Sequence, residues 1–217
     1  AHTITRATSG FPTSTTASHC SVCWRACSRR CCATSLSARG QTVFADGDVD
    51  FPGVLAHRQA LWPRVLDRFD EAAPAALRDR FDQFCGRNAA WLDDFALFMT
   101  VKASHNDTAW TKWEPDIAHR DPPAVARWSA RCARDIRMHK LTQFLFFEQW
   151  QRVRKTCRSR SIALMGDLPI FVAHDSADVW ARRELFRLEP DGRPTMVAGV
   201  PPDYFSATGQ LWGNPHY

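Results

Sequence analysis

The sequence has no apolar run approaching the ~20 residues of a membrane span, which excludes a helical anchor of that kind. Its start has no basic stretch leading into an apolar one, so no signal peptide is expected. Acidic residues and lysine are missing altogether from residues 1–41. That segment holds five arginines, Arg6, Arg25, Arg29, Arg30 and Arg39, and is therefore +5. The remaining 176 residues carry 23 basic and 23 acidic side chains. The formal net charge of +5 thus belongs to one short segment, and the rest of the chain gives no charge argument for a nucleic-acid partner.

The first 41 residues also hold seven Ser, seven Thr and five of the eight Cys. Their apolar residues follow neither a 2-residue nor a 3.6-residue period, and the composition argues against a packed core. Cys20, Cys23, Cys27, Cys31 and Cys32 beside His19 offer thiols for a metal, but they crowd into thirteen residues without a second knuckle. A disulfide cluster lacks any sign of secretion to support it. A basic arm for nucleic acid would have one Trp, no Lys and no periodic patch. The preferred reading is peptide read out of frame, or a misassigned start, ahead of a segment from about residue 42 with a different texture.

From Val43 onward helix and strand signals alternate. Leu61, Trp62, Val65, Leu66 and Phe69 recur at helical spacing, which predicts helix over 64–70, broken or restarted at Pro74. Trp91, Leu92, Phe95, Phe98 and Met99 predict a helix over 84–101 with an apolar face for the core and Asn88 as cap. Residues 102–120 read as a loop whose Trp110 and Trp113 serve either as a buried lid or as ligand contacts. Asp121-Pro122-Pro123 is a helix start, and the stripe from Val125 to Val153 carries that helix to about Arg158, with Cys132 and Cys157 as small buried hydrophobes. Ser161–Gly166 is apolar on both faces and reads as a strand covered on both sides. Asp167 then stands at its carboxyl end, where parallel α/β folds place their chemistry. Asp175 is the expected cap of a short helix through Trp180. Pro190-Asp191-Gly192 reads as the turn of a hairpin.

The stretch Gly166-Asp-Leu-Pro-Ile-Phe-Val-Ala-His-Asp-Ser-Ala-Asp-Val-Trp180 resembles the 4-α-glucanotransferases (amylomaltases, disproportionating enzymes) of glycoside hydrolase family 77. So does Val197-Ala-Gly-Val-Pro-Pro-Asp-Tyr-Phe-Ser-Ala-Thr-Gly-Gln-Leu-Trp-Gly-Asn-Pro-His-Tyr217. Weaker agreement reaches back to about Val49. His216 departs from the family pattern, which has an apolar residue there.

The resemblance implies an α/β fold: a partial (β/α)₈ barrel of the α-amylase type with inserted segments. Residues 162–166 would be its third strand and 180–217 the excursion above the strand ends. A whole barrel of this kind takes roughly 250 residues, more than this chain has, and a barrel stopped there would leave an open strand edge. The implied reaction is retaining transfer of α-1,4-glucan segments between maltodextrins. It needs two carboxyls about 5 Å apart, one as nucleophile and one as acid/base. In the family these come from later strands, so they are expected beyond residue 217 and the chain alone is expected to be inactive. Asp167 is implied as active-site floor. Asp203, Tyr204, Phe205, Gln210, Trp212 and Asn214 are implied as substrate-binding residues on the acceptor side. Aromatic rings suit the apolar faces of glucose, and amides suit its hydroxyls. The bland alternative is that Pro201, Pro202 and Gly209 merely shape a surface loop. No metal and no organic cofactor are implied, nor a nucleic-acid or membrane partner, and the setting is cytoplasmic. The competing function is a non-catalytic protein, with the Cys/Arg-rich arm binding metal or nucleic acid and the rest a degenerate sugar-binding remnant.

Overall fold

A computed structural model describes residues 48–217. The readings placed on residues 1–41 (metal knot, basic arm, out-of-frame peptide) lie outside the described residues. The described chain is mixed α/β, with six α-helices and a single two-stranded antiparallel sheet among the described residues. It divides into two compact units. One holds residues 48–101 and 126–164 of the described chain; the other holds 102–125 and 165–217.

The first unit is built from helices α1 (Phe51–Ala72), α2 (Ala75–Ser104, as far as residue 101), the end of α4 (Pro122–Arg131), and α5 (Ala133–Ser159). Asp50 starts α1: its Oδ1 accepts the Gly53 amide at 3.0 Å, and a proline fills the first turn. The helix therefore begins well before the expected 64, and Pro63 lies inside it. Ala73, held extended ahead of Pro74, ends it. Pro74 then accepts the amides of Leu77 and Arg78, and α2 starts at once, nine residues earlier than its aromatic stripe alone suggested. Asn88 is consequently not a cap. It is buried in mid-helix, where its amide donates to the Phe84 carbonyl at 2.7 Å and its oxygen accepts the Trp91 indole at 3.1 Å. The long helix expected from Pro122 bends at Cys132, whose backbone (φ −112°, ψ 25°) leaves the helical range. Bonds from Cys132 N to Trp128 O and from Ile136 N to Cys132 O carry the ladder across, so α4 and α5 meet at a one-residue distortion.

Phe81 sits at the centre of this unit's core. Its ring meets Phe69 and Phe144 edge-on at 5.3 and 5.6 Å, with Leu66, Phe84, Leu92 and Leu141 closing the cluster. Ion pairs border it. Arg134 meets Asp67 and Arg137 meets Asp70, both at 2.8 Å, while Arg80 meets Glu148 at 2.9 Å and Lys140 meets Asp93. The first two pairs advance together along α1 and α5; the last two run in opposite senses along α2 and α5. Helix α5 is thus parallel to α1 and antiparallel to α2. Arg137 also lays its guanidinium 4.9 Å from the Phe81 ring centre, adding a cation–π contact.

Burial lowers the pKa of His139 on α5, with Asp135 pulling weakly the other way. The folded unit therefore prefers this imidazole neutral. As pH falls below the ordinary value of about 6.5, the unfolded chain takes up a proton that the folded chain refuses, and stability drops. His139→Gln should flatten the fall in urea midpoint between pH 7.5 and 5.5; an unchanged slope would acquit this residue.

The second unit is centred on tryptophans. Trp110, in a single 3₁₀ turn (Trp110–Lys112), and Trp113 are both buried, so these rings pack in the interior of their own unit. Trp180 lies on α6 (Ala177–Ala181). Each indole N–H is satisfied by a main-chain carbonyl: Trp110 by His174 at 2.9 Å, Trp113 by Thr108 at 3.0 Å, and Trp180 by Ile117 of α3 (Pro115–Ala118) at 3.1 Å. A ring this large is buried without cost to its polar atom when it finds such a partner. Asp175, the expected cap of α6, instead pairs with Lys102 and accepts the Trp110 amide at 3.3 Å. Ser176 is the cap, its hydroxyl accepting the Val179 amide. The Pro190–Gly192 turn closes through one bridge, Leu188 to Pro194, rather than two strands.

Residues 161–166 do not form the expected strand. They form no regular element and are exposed: Ser161 lies in a turn at φ +55°, and Ile162, Leu164 and Met165 are open to solvent. A strand exists only through hydrogen bonds to a neighbour, and among the described residues no segment lies alongside to supply them.

Candidate functional site

Strand β1 (Val197–Val200) pairs antiparallel with β2 (Gln210–Pro215) and carries the loop 201–209 between them. Gly199 opposes Leu211, and a Cβ on it would meet the Gln210 carbonyl at 2.7 Å, so close pairing here needs glycine. Val197 opposes Pro215, which leaves β2 with two more residues than β1 between the paired positions. Gly213 lies in that surplus at φ +77°, where its freedom lets the strand bulge. Gly209 closes the loop at φ +73°, with the Val200 carbonyl 2.5 Å from where a Cβ would stand. Gly209→Ala should therefore disorder the loop and shift amide resonances of 200–210 while leaving those of residues 60–100 in place; an unperturbed loop would contradict this packing.

At the tip, Tyr204 and Phe205 are 97% and 87% exposed, their rings edge to face at 5.5 Å. Asp203 lies directly before them, and its Oδ1 accepts the amides of Phe205 at 2.9 Å and Ser206 at 2.8 Å. Gln210 and Trp212 share one face of β2: the indole donates to Gln210 Oε1 at 3.0 Å, and the ring is half exposed. Asn214 is turned inward, its amide donating to the Val172 carbonyl at 2.8 Å. It ties β2 to the segment after Asp167. Tyr217 does the same with its hydroxyl, which donates to Ile170 O at 3.0 Å. Asp167 is exposed, and its Oδ1 accepts the next amide, that of Leu168.

The six acceptor-side candidates thus share one hairpin, with Asp203, Tyr204 and Phe205 at its tip and Gln210, Trp212 and Asn214 on its second strand. Asp167 stands on the neighbouring segment that β2 holds. Sequence reasoning passed over Phe171. Its ring touches Trp212 at 6.2 Å and His216 at 5.9 Å and stacks on Tyr217 at 6.3 Å, so it is the hub that sets Trp212. An aromatic inside the Gly166–Trp180 motif was the available signal. At the departing position the His216 ring meets Phe171 at 5.9 Å, and its main-chain carbonyl accepts the Arg187 amide at 2.9 Å. Among the described residues, no cluster of three or more His, Cys, Asp or Glu side chains could hold a metal. No helix among them is long and apolar enough to cross a membrane.

Exposed rings beside amide groups on a tightly bonded turn suit a ligand with apolar faces and a hydroxylated rim. Comparison with known proteins gives the family. The family model for 4-alpha-glucanotransferases matches residues 16–217, so the chain belongs to that family. The match starts inside the segment set apart above by its composition. A 4-alpha-glucanotransferase from Synechocystis is 46% identical over 175 residues, covering 80% of this chain and 35% of the relative. One from Thermus thermophilus is 43% identical over 177 residues, with the same two shares, 80% and 35%. The solved amylomaltase from Streptococcus agalactiae in complex with acarbose superimposes with a TM-score of 0.73 at 34% identity, covering 78% of this chain and 34% of that one. The chain spans about a third of the length of these relatives.

Proposed function

We propose that these residues form the acceptor-side portion of a cytoplasmic 4-α-glucanotransferase, which moves α-1,4-glucan segments between maltodextrins with retention of configuration. The helices, the 161–166 segment and the hairpin are, in this reading, the early part of a (β/α)₈ barrel with its insertions. One observation carries the proposal: a loop bonded into a fixed turn presents two aromatic rings almost wholly to solvent. Folding gains little from rings left this exposed, and a sugar face is a surface that would cover them. Tyr204 and Phe205 would stack on the acceptor, while Gln210 and Trp212 would border it. Asp167 would lie on the floor of the cleft in a supporting role. The nucleophile and the acid/base belong, in this reading, to chain outside residues 1–217, in keeping with the third of the relatives' length that the match spans. No metal or organic cofactor enters this chemistry.

Incubation of the purified 217-residue chain with maltotriose tests the division of labour. The expected result is no glucose and no longer maltodextrin. A ladder of products would overturn it and place the reacting carboxyls within these residues.

A further inference from the structure

The bonds around the loop tip give Asp203 a different part from the one its neighbours take. Oδ1 is engaged by two main-chain amides, Phe205 at 2.9 Å and Ser206 at 2.8 Å. The Asp203 amide donates to Ser206 O at 2.9 Å. Ser206 then fastens the other end of the loop: its hydroxyl donates to Gly209 O at 2.7 Å, and Gly209 N donates back to Ser206 O at 3.2 Å. Pro201 and Pro202 stiffen the approach by fixing φ. The rings of Tyr204 and Phe205 have little packing of their own, so the peptide units that Asp203 grips decide where they point.

We propose that Asp203 is a positioning residue, acting on the acceptor through Tyr204 and Phe205 rather than by contact with sugar hydroxyls. The proposal rests on the acceptor-loop reading above. A loop already ordered in the free protein loses less freedom on binding, which strengthens binding without any new contact. The grip needs an oxygen acceptor and no charge, and the side-chain oxygen of asparagine can accept the same two amides. Alanine offers none.

The test uses the full chain as wild type, Asp203→Ala, Asp203→Asn and the double variant Tyr204→Ala/Phe205→Ala. Two quantities are read: hydrogen exchange at the Phe205 and Ser206 amides, and the dissociation constant for maltoheptaose by calorimetry. Asp203→Ala should speed both exchange rates and weaken maltoheptaose about tenfold, the scale of ordering a short loop on binding. Asp203→Asn should recover most of both losses. Unchanged exchange in Asp203→Ala would overturn the proposal. So would an Asn variant that exchanges like wild type but binds as weakly as Ala, since the carboxylate would then touch the sugar itself. Maltoheptaose binding that is absent, or that survives loss of both rings, would overturn the acceptor-loop reading instead. In that event the exchange rates still decide whether Asp203 holds the loop.

Discussion

Phe81→Ala is expected to lower the stability of the helical unit by about 3–5 kcal/mol, the usual range for removing a buried phenylalanine. Phe81 touches Phe69 and Phe144, so its loss opens a cavity among helices α1, α2 and α5 together. The Arg137 guanidinium would also lose the ring it lies against, although its pair with Asp70 would remain. Urea denaturation followed by circular dichroism at 222 nm reads the effect. A loss below about 1 kcal/mol would mean that the site collapses freely and that Phe81 is not the centre of this core.

Tyr204→Ala/Phe205→Ala is expected to weaken maltoheptaose by about thirtyfold, corresponding to roughly 2 kcal/mol, a value common for aromatic anchors at binding sites. The same change should leave thermal stability within about 0.5 kcal/mol, because both side chains are exposed in the free protein. Affinity and stability are thereby separated. Calorimetric titration and a thermal melt on the same preparation suffice to check it. Equal affinity with an unchanged melt would leave the two rings without a role in sugar binding.

Helix cores were legible from spacing, since Leu66, Phe69, Leu92 and Phe144 each sit where the 3.6-residue period put them. Boundaries were not. Helix α1 starts at a cap, Asp50, that precedes the clear part of its stripe, and α2 starts at Ala75, directly after Pro74, rather than at Phe84. Asn88 shows why: a cap residue in sequence is indistinguishable from a buried amide that bonds back to its own helix. Asp175 and Ser176 are adjacent potential caps, and only the Lys102 and Trp110 contacts, far away in sequence, decide between them. The apolar run 161–166 has strand composition, but composition does not supply a neighbouring strand. At the candidate site the motif carried the aromatic tip and the second hairpin strand. The bonds that engage Asp203 and Asn214 with main chain depend on folding and could not be read from residue type.

The hairpin from Asp203 to Asn214 is proposed to meet an α-1,4-glucan. Titration of the isotope-labelled chain with maltoheptaose, followed by amide chemical shifts, tests it most directly. Saturable shifts are expected, concentrated at residues 203–206 and 210–214 and at the Trp212 indole. Absence of saturable shifts, or shifts confined to the helical residues 51–101 and 133–159, would contradict it.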